Sequence, residues 1–451
     1  VRLDSRKPYR RWLVAVFAGA LLALTGCASP APSARTATPI TSSAATSATA
    51  PATNARQVWS ASMGAAVFGR PLATAHAVIV GTEADDLVAV DRSTGHRLWT
   101  VRVGTPLRNV AQVAGCGDID PLGITSAPVL DTARNEVFAV GEVLDAKRHV
   151  EHELIGVDAT SGRVELREDA DPPLPAGERA VHLLQRAGLA VGSDTVYIAY
   201  GGNAGDCGSY HGWIVGVPAS GSGPHTSFEV AREGQGGAIW LSGGAPAIAA
   251  DGTVIVTTGN ANPFPARIDA QQYTESVVKL SPGLRVLASF KDRRAAGDED
   301  LATGNPVLLP GGLVFAVGKT DTGYLLRASD LSEVASIHGV CGSDPDGGAG
   351  YDAATQRLFV PCRAGSLQVI DVAHRRLGPR LTGSDGAPII VGRTVWSTKY
   401  PDGGLVAYSA SSEHRLLTVR TPALPHFATP TASNGRLFLG TDTGVVAYAI
   451  G

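Results

Sequence analysis

Short runs of β-branched and aromatic residues recur from residue 56 to the end of this chain, each bounded by glycine, proline or small polar residues. The clearest are AVIVGT at 77–82, EVFAVGE at 136–142, TVYIAYG at 195–201, TVIVTTG at 253–259, LVFAVGK at 313–319, RLFVPCR at 357–363, TVWSTKY at 394–400 and RLFLGTD at 436–442. From Val78 through Val137, Val196, Val254, Val314, Leu358 and Val395 to Leu437 the intervals are 59, 59, 58, 60, 44, 37 and 42 residues. Apolar runs of this length between turn residues read as strands. Eight copies of one unit predict a radial or solenoid array instead of a layered globule.

Each anchor has neighbours of its own kind. A strand beginning with a small residue and proline precedes several of them, as in SAPVLD at 126–131, GNPVLL at 304–309 and GAPIIV at 386–391. Proline is tolerated at a strand start, where no ladder N–H is required. Another strand follows each anchor, as in DLVAVD at 86–91 and GLVAYS at 404–409. A turn then leads to a fourth, most clearly in DRSTGHRLWTV at 91–101. The fold class expected is all-β: an eight-bladed propeller of four-stranded antiparallel blades over residues 56–451. The last unit runs out before its fourth strand, and Gln57–Ser60 stands unassigned ahead of the first. That segment is expected to complete the last blade as a velcro strand, leaving no open edge. Trp59 and Trp99 then occupy matching packing positions between blades.

Composition narrows the function classes. Glycine is frequent, 54 of 451, as many tight turns require. Charged residues make up only 18% with a net charge of −3, and no basic run follows the N-terminal segment, so nucleic acid is not an expected partner. Residues 1–26 carry Arg2, Arg6, Lys7, Arg10 and Arg11 ahead of an apolar stretch, the layout of a secretory signal. Residues 27–55 are mostly Ala, Ser, Thr and Pro, with little to bury, and read as a disordered tether. In an oxidising compartment Cys116, Cys207, Cys341 and Cys362 form an even set with three open connectivities. Cys341 and Cys362 bracket the start of one repeat, so their pairing is the simplest, and Cys116–Cys207 follows by elimination. No C-x-x-C spacing suggests a metal.

Three resemblances go further. Leu24-Thr25-Gly26-Cys27 resembles the bacterial lipoprotein signal ending, which implies a diacylglyceryl group on Cys27 and anchoring to the outer face of a cell membrane. Arg10-Arg11-Trp12-Leu13-Val14 loosely resembles a twin-arginine export signal, leaving the export route open. The stretch from Leu87 to Trp99, with Asp91, Thr94 and Gly95 in its turn, resembles the tryptophan-docking repeat of PQQ-type β-propellers. Gly156–Arg163 is a copy without the tryptophan. That superfamily includes quinoprotein alcohol dehydrogenases and a cofactor-free outer-membrane assembly lipoprotein.

The resemblance to the dehydrogenases carries candidate roles onto particular residues. Asn260, in Thr258–Phe264, matches a calcium-ligating position. Asp298 or Asp300, in Gly297–Leu301, matches the catalytic base. Lys319 matches a lysine that approaches the quinone oxygens. Apart from the resemblance, Trp240, after the close-approach glycines Gly236 and Gly237, is a candidate stacking platform. A carboxamide and carboxylates suit Ca2+, and a carboxylate base beside a lysine suits alcohol oxidation. Departures are equally clear. The vicinal cysteine pair is absent, Phe264 stands where a tryptophan is usual, and no glutamate completes the calcium set. His211, flanked by Ser209 and Asp206, is expected to be a loop-packing residue, because chain neighbours rarely form a catalytic triad. The expected function is therefore a monomeric, non-catalytic binding or scaffold propeller at the cell envelope, without a cofactor. It would be held to the membrane through Cys27 and engage an envelope protein, small molecule or saccharide. The alternative is a dehydrogenase of alcohols or sugars that uses PQQ with Ca2+.

Overall fold

The computed structural model describes residues 50–262 and 272–451; the signal, Cys27, most of the expected tether and Phe264 lie outside them. The described residues form eight antiparallel sheets. Blade 1 runs Leu72–Ala73, Ala77–Gly81, Asp86–Asp91 and Arg97–Arg102. Blades 2 to 7 repeat the same order between residues 129 and 419, and in blade 3 two short segments, Leu183–Leu184 and Ala190–Gly192, share the first-strand position.

Burial explains the sequence pattern. In blade 1 every residue of the second strand is buried, whereas Arg97–Arg102 alternates between exposed and half-buried positions. Second and third strands are covered on both faces by neighbouring blades, so they read as continuous apolar runs. Fourth strands form the rim and keep one wet face. The core is thus a ring of inter-blade layers, such as the one in which Phe138 and Leu154 of blade 2 meet Val196 and Val215 of blade 3.

Closure follows the expected route with a longer strand. Ala55–Ser62 pairs antiparallel with Gly444–Ile450, from Ala55 opposite Ile450 to Ser62 opposite Gly444, and supplies the outermost strand of blade 8. Ordered contacts begin earlier still, inside the segment expected to be tether. The Ala52 N–H donates to the Thr394 hydroxyl at 2.8 Å, and the Thr53 N–H to the Gly451 carbonyl at 2.6 Å.

The two tryptophans occupy equivalent sites. Trp59 lies opposite Ala447 and Trp99 opposite Ala89, the same position of the third strand in each blade. Each ring lies on the hairpin turn of the next blade. A Cβ added to Gly95 would come 2.8 Å from the Trp59 ring, and one on Gly162 would come 2.7 Å from the Trp99 ring. Both glycines also have positive φ, +75° and +73°, so the turn requires them twice over. The Asp91 carboxylate accepts from the side chains and N–H groups of Ser93 and Thr94, which lowers its pKa to about 2 and locks the turn.

Both expected disulfides form, Cys116–Cys207 with Cα atoms 5.7 Å apart and Cys341–Cys362 at 5.3 Å. The first ties the crossing between blades 1 and 2 to the long loop of blade 3. The antiparallel order gives the disc two unlike faces. Turns between second and third strands share the upper face with the crossings between blades. The remaining two turns of each blade lie on the lower face.

Candidate functional site

Every candidate site residue lies on the upper face. Asn260 follows the second strand of blade 4, Val254–Thr257, and Lys319 follows that of blade 5, Leu313–Val317. Asp298 and Asp300 lie in the crossing between them, and Asp300 directly precedes the short 3-10 turn Leu301–Thr303. The structure brings these four together. Lys319 Nζ lies 2.5 Å from Asp298 Oδ1 and 2.9 Å from Asp300 Oδ2. The other Asp300 oxygen, Oδ1, accepts the Asn260 backbone N–H at 2.9 Å. The packing is tight enough that a Cβ on Gly259 would fall 2.3 Å from Asp300 Oδ1. The Asn260 side-chain amide donates to the Ala261 carbonyl at 3.0 Å.

The electrostatics separate the two aspartates. Asp300 is buried, and burial raises its pKa even though Lys319 and the Asn260 N–H pull the other way. Asp298 is 59% exposed. Burial alone would lower the Lys319 ammonium, but Asp300 and Asp298 together raise it. One lysine is shared by two carboxylates, so it is firmly charged while the buried partner carries the desolvation cost.

Trp240 is placed elsewhere on this face. Its ring meets Phe427 with centroids 5.7 Å apart, and Phe427 stacks on His426 at 3.7 Å. Arg186, buried, lies between Phe68 and Phe427, 5.6 and 5.4 Å from their centroids, and donates to the His426 carbonyl at 3.0 Å. Side chains from the crossings into blades 1, 4 and 8 and from blade 3 therefore meet at one place. The aromatic platform expected for a planar ligand meets the protein's own phenyl ring at a tilt of 46°.

Other charged groups on this face escaped the sequence reading. Glu83, Asp85 and Glu142 are all buried between blades 1 and 2. Glu83 Oε2 accepts from the Gly123 N–H and the Thr125 hydroxyl, while burial pushes its pKa up to about 7. Burial, followed by repulsion from Glu83 and Glu142, pushes Asp85 up to about 9. Burial raises Glu142, whose Oε2 lies 3.7 Å from His152 Nε2. His152 Nδ1 lies 2.6 Å from Asp171; despite its burial, the two carboxylates raise its pKa to about 10. On the far side, Asp346 is buried and accepts from the Tyr400 hydroxyl, with His426 Nε2 at 3.3 Å. The available signal was polar residues directly after an apolar strand, as in Thr82–Asp86. That signal is shared with ordinary hairpin turns. His211 is buried with Nδ1 2.6 Å from Glu178 Oε1, while Asp206 accepts from the Tyr210 hydroxyl at 2.5 Å, so the three neighbours form no triad.

Residues 42–329 match the propeller-repeat family described as outer membrane protein assembly factor BamB. The chain belongs to this BamB family. No curated protein matches. Among solved structures, quinohemoprotein alcohol dehydrogenase from Comamonas testosteroni is similar at 15% identity and TM-score 0.67, covering 88% of this chain and 76% of that one. BamB from Moraxella catarrhalis is similar at 13% identity and TM-score 0.58, covering 88% and 99%. Sqt1 from Saccharomyces cerevisiae is similar at 9% identity and TM-score 0.57, also covering 88% and 99%. Identities this low establish the shared propeller and nothing finer.

In this BamB-family chain the described residues that resemble a quinone and calcium site do not suit that group. Ca2+ takes six to eight oxygens. Here the buried carboxylate is committed to an ammonium and a backbone N–H, and the one carboxamide oxygen beside it falls far short of such a set. Among the described residues no three His, Cys, Asp or Glu side chains converge as metal ligands. The charged atoms that remain answer one another, and the arrangement works chemically as an internal brace between blades 4 and 5.

Proposed function

We propose that this protein is a non-catalytic binding propeller of the cell envelope, anchored through lipid on Cys27, whose loops hold a protein partner in place. The observation that carries this reading is the pairing of Lys319 with Asp298 and Asp300. The lysine that would face a quinone and the carboxylate that would take a proton neutralise each other. The contact of Phe427 with Trp240 points the same way. BamB from Moraxella catarrhalis, whose family name is that of an assembly factor, supports an envelope role. Two disulfides suit an oxidising compartment, and among the described residues no helix is long and apolar enough to cross a membrane.

The test is calorimetric titration of the purified protein with PQQ plus Ca2+, paired with a dye-linked alcohol oxidation assay and with in-cell crosslinking. The expected result is no binding and no turnover, with a reproducible crosslinked envelope protein on upper-face positions. Micromolar binding, with turnover lost in Lys319→Ala, would replace this reading with the dehydrogenase.

A further inference from the structure

Exposed large apolar side chains are few among the described residues, and their placement is not scattered. Six are exposed: Leu98, Val113, Val164, Leu287, Leu377 and Leu416. Five of these six occupy the first or second position of a fourth strand, in blades 1, 2, 4, 6 and 7. Single exposed apolar residues need no explanation, but a recurring location does. Leu98, Leu287 and Leu416 are the bulged residues of their strands, and Val164 and Leu377 are the paired residues just before the bulge of theirs. All five stand within one residue of a common level, on the outer rim just above the lower-face turns. Leu98 and Leu287 are half exposed, at 50% and 54%.

An arginine accompanies each. Arg97, Arg163, Arg376 and Arg415 directly precede their aliphatic residue, and Arg285 precedes Leu287 by two. Arg163 pairs with Glu165, and Arg376 lies 3.7 Å from Asp371. Arg97, Arg285 and Arg415 are exposed. A rim of aliphatic tips with guanidinium groups beside them matches the boundary between acyl chains and anionic headgroups.

The path of the chain supplies a second, independent observation. Ala55 lies opposite Ile450, at the end of the third strand of blade 8 that leads to the lower face. The Ala52 N–H is bonded to Thr394, the first residue of a second strand, also at that face. The segment leading back toward Cys27 therefore leaves the body on the side that carries the exposed rim. Ala52 lies twenty-five positions after Cys27, a span of at most roughly 85 Å.

We propose that the lower rim is a membrane-docking surface for anionic phospholipid. It would seat the disc with its lower face toward the bilayer and its upper face, with the Lys319 and Arg186 clusters, turned to the aqueous side. The anchored reading above supplies the approach to the membrane, but the rim is tested separately from it.

The experiment is hydrogen exchange on the purified full chain, with vesicles of phosphatidylcholine alone and of phosphatidylcholine with phosphatidylglycerol. Mass spectrometry of Cys27 reports the anchor independently. The expected result is several-fold slower exchange on anionic vesicles in peptides spanning 96–99, 285–288 and 414–417, with 298–319 unchanged. Half-molar salt weakens the effect through screening. The variant Leu98→Ser/Leu287→Ser/Leu377→Ser/Leu416→Ser, all at surface positions, loses the slowing while its circular dichroism and any lipid-borne retention persist. Slowing of the rim upholds the proposal whether or not Cys27 carries lipid. Slowing confined to the upper face overturns it, as does vesicle-bound protein with an unchanged rim. Self-association without vesicles that the serine variant abolishes would reassign the rim to contact between copies, and also overturns it.

Discussion

Trp99 donates its indole N–H to the Ala159 carbonyl at 3.3 Å, fastening the outer strand of blade 1 to the hairpin turn of blade 2. Trp59 repeats the contact across the closure, donating to the Arg92 carbonyl at 3.1 Å. The same device therefore links blade 8 to blade 1, where the chain's two ends meet. A ring closed by one strand pair needs this second fastening, because the strand can otherwise peel from the edge without breaking any covalent link.

Trp59→Ala is expected to destabilise the protein by about 3–5 kcal/mol, the cost of removing a buried indole. Gly95→Ala should cost about 1–3 kcal/mol through its φ and its clash with that ring. Denaturant unfolding followed by fluorescence checks both. A Trp59→Ala variant as stable as the parent would show that the closure holds without the indole.

Asp300 and Asp298 should respond unequally to the same change. Asp300→Ala leaves Lys319 half-buried with only an exposed partner and the Asn260 N–H without an acceptor, at a cost of about 2–3 kcal/mol. Asp298→Ala removes a solvent-screened ion pair and should cost less than about 1 kcal/mol. Equal losses in thermal unfolding would contradict the division of roles drawn from their burial.

The buried acids between blades 1 and 2 make stability pH-dependent, and the sign can be worked out. Asp85 and Glu83 have folded pKa values near 9 and 7, above the ordinary carboxylate range. His152 is raised to about 10. A group whose folded pKa is raised contributes stability that is complete below its unfolded pKa and is lost as pH rises through the folded one. All three act in the same direction, so stability should fall between about pH 4 and pH 10, most steeply between about pH 6.5 and 7, where all three are engaged. Asp85→Asn should flatten the part between pH 4 and 9. The check is Tm at pH 5 and pH 8.5 for both proteins; the difference must shrink in the variant.

Reduction of the two disulfides should lower stability by about 2–4 kcal/mol for each bridge. Peptide mapping without reductant should recover Cys116 with Cys207 and Cys341 with Cys362. Free thiols or crossed pairs in the mature protein would conflict with the fold.

Separately, Cys27→Ala should abolish lipid attachment, with the protein either released from the membrane fraction or left unprocessed. Metabolic labelling with a radiolabelled fatty acid followed by fractionation measures this. Unchanged labelling would place any lipid elsewhere.

The blade count, the strand order within each blade, the velcro strand and the tryptophan pairing were all legible in the chain. Each is written in local chemistry: apolar runs for strands covered on both faces, Asp-x-x-Thr-Gly for a hairpin turn, and an aromatic at a repeated offset. A repeated unit multiplies a weak signal eight times. The disulfide partners were legible for a related reason, since parity and repeat position left few arrangements. The meeting of Asn260, Asp300 and Lys319 could be guessed from adjacent blades, but their occupation of one another could not. That depends on distances of about 3 Å between loops, and no spacing along the chain encodes which way a carboxylate turns. The same holds for Phe427 against Trp240, for Arg186 between Phe68 and Phe427, and for Glu83, Asp85 and Glu142 buried together. Residues far apart in sequence converge there because blades pack on one another and the ring closes, and only after that packing do their charges share one low-dielectric space. Strand identity is a property of ten neighbouring residues; the use of a charged side chain is set by whatever the rest of the ring brings against it.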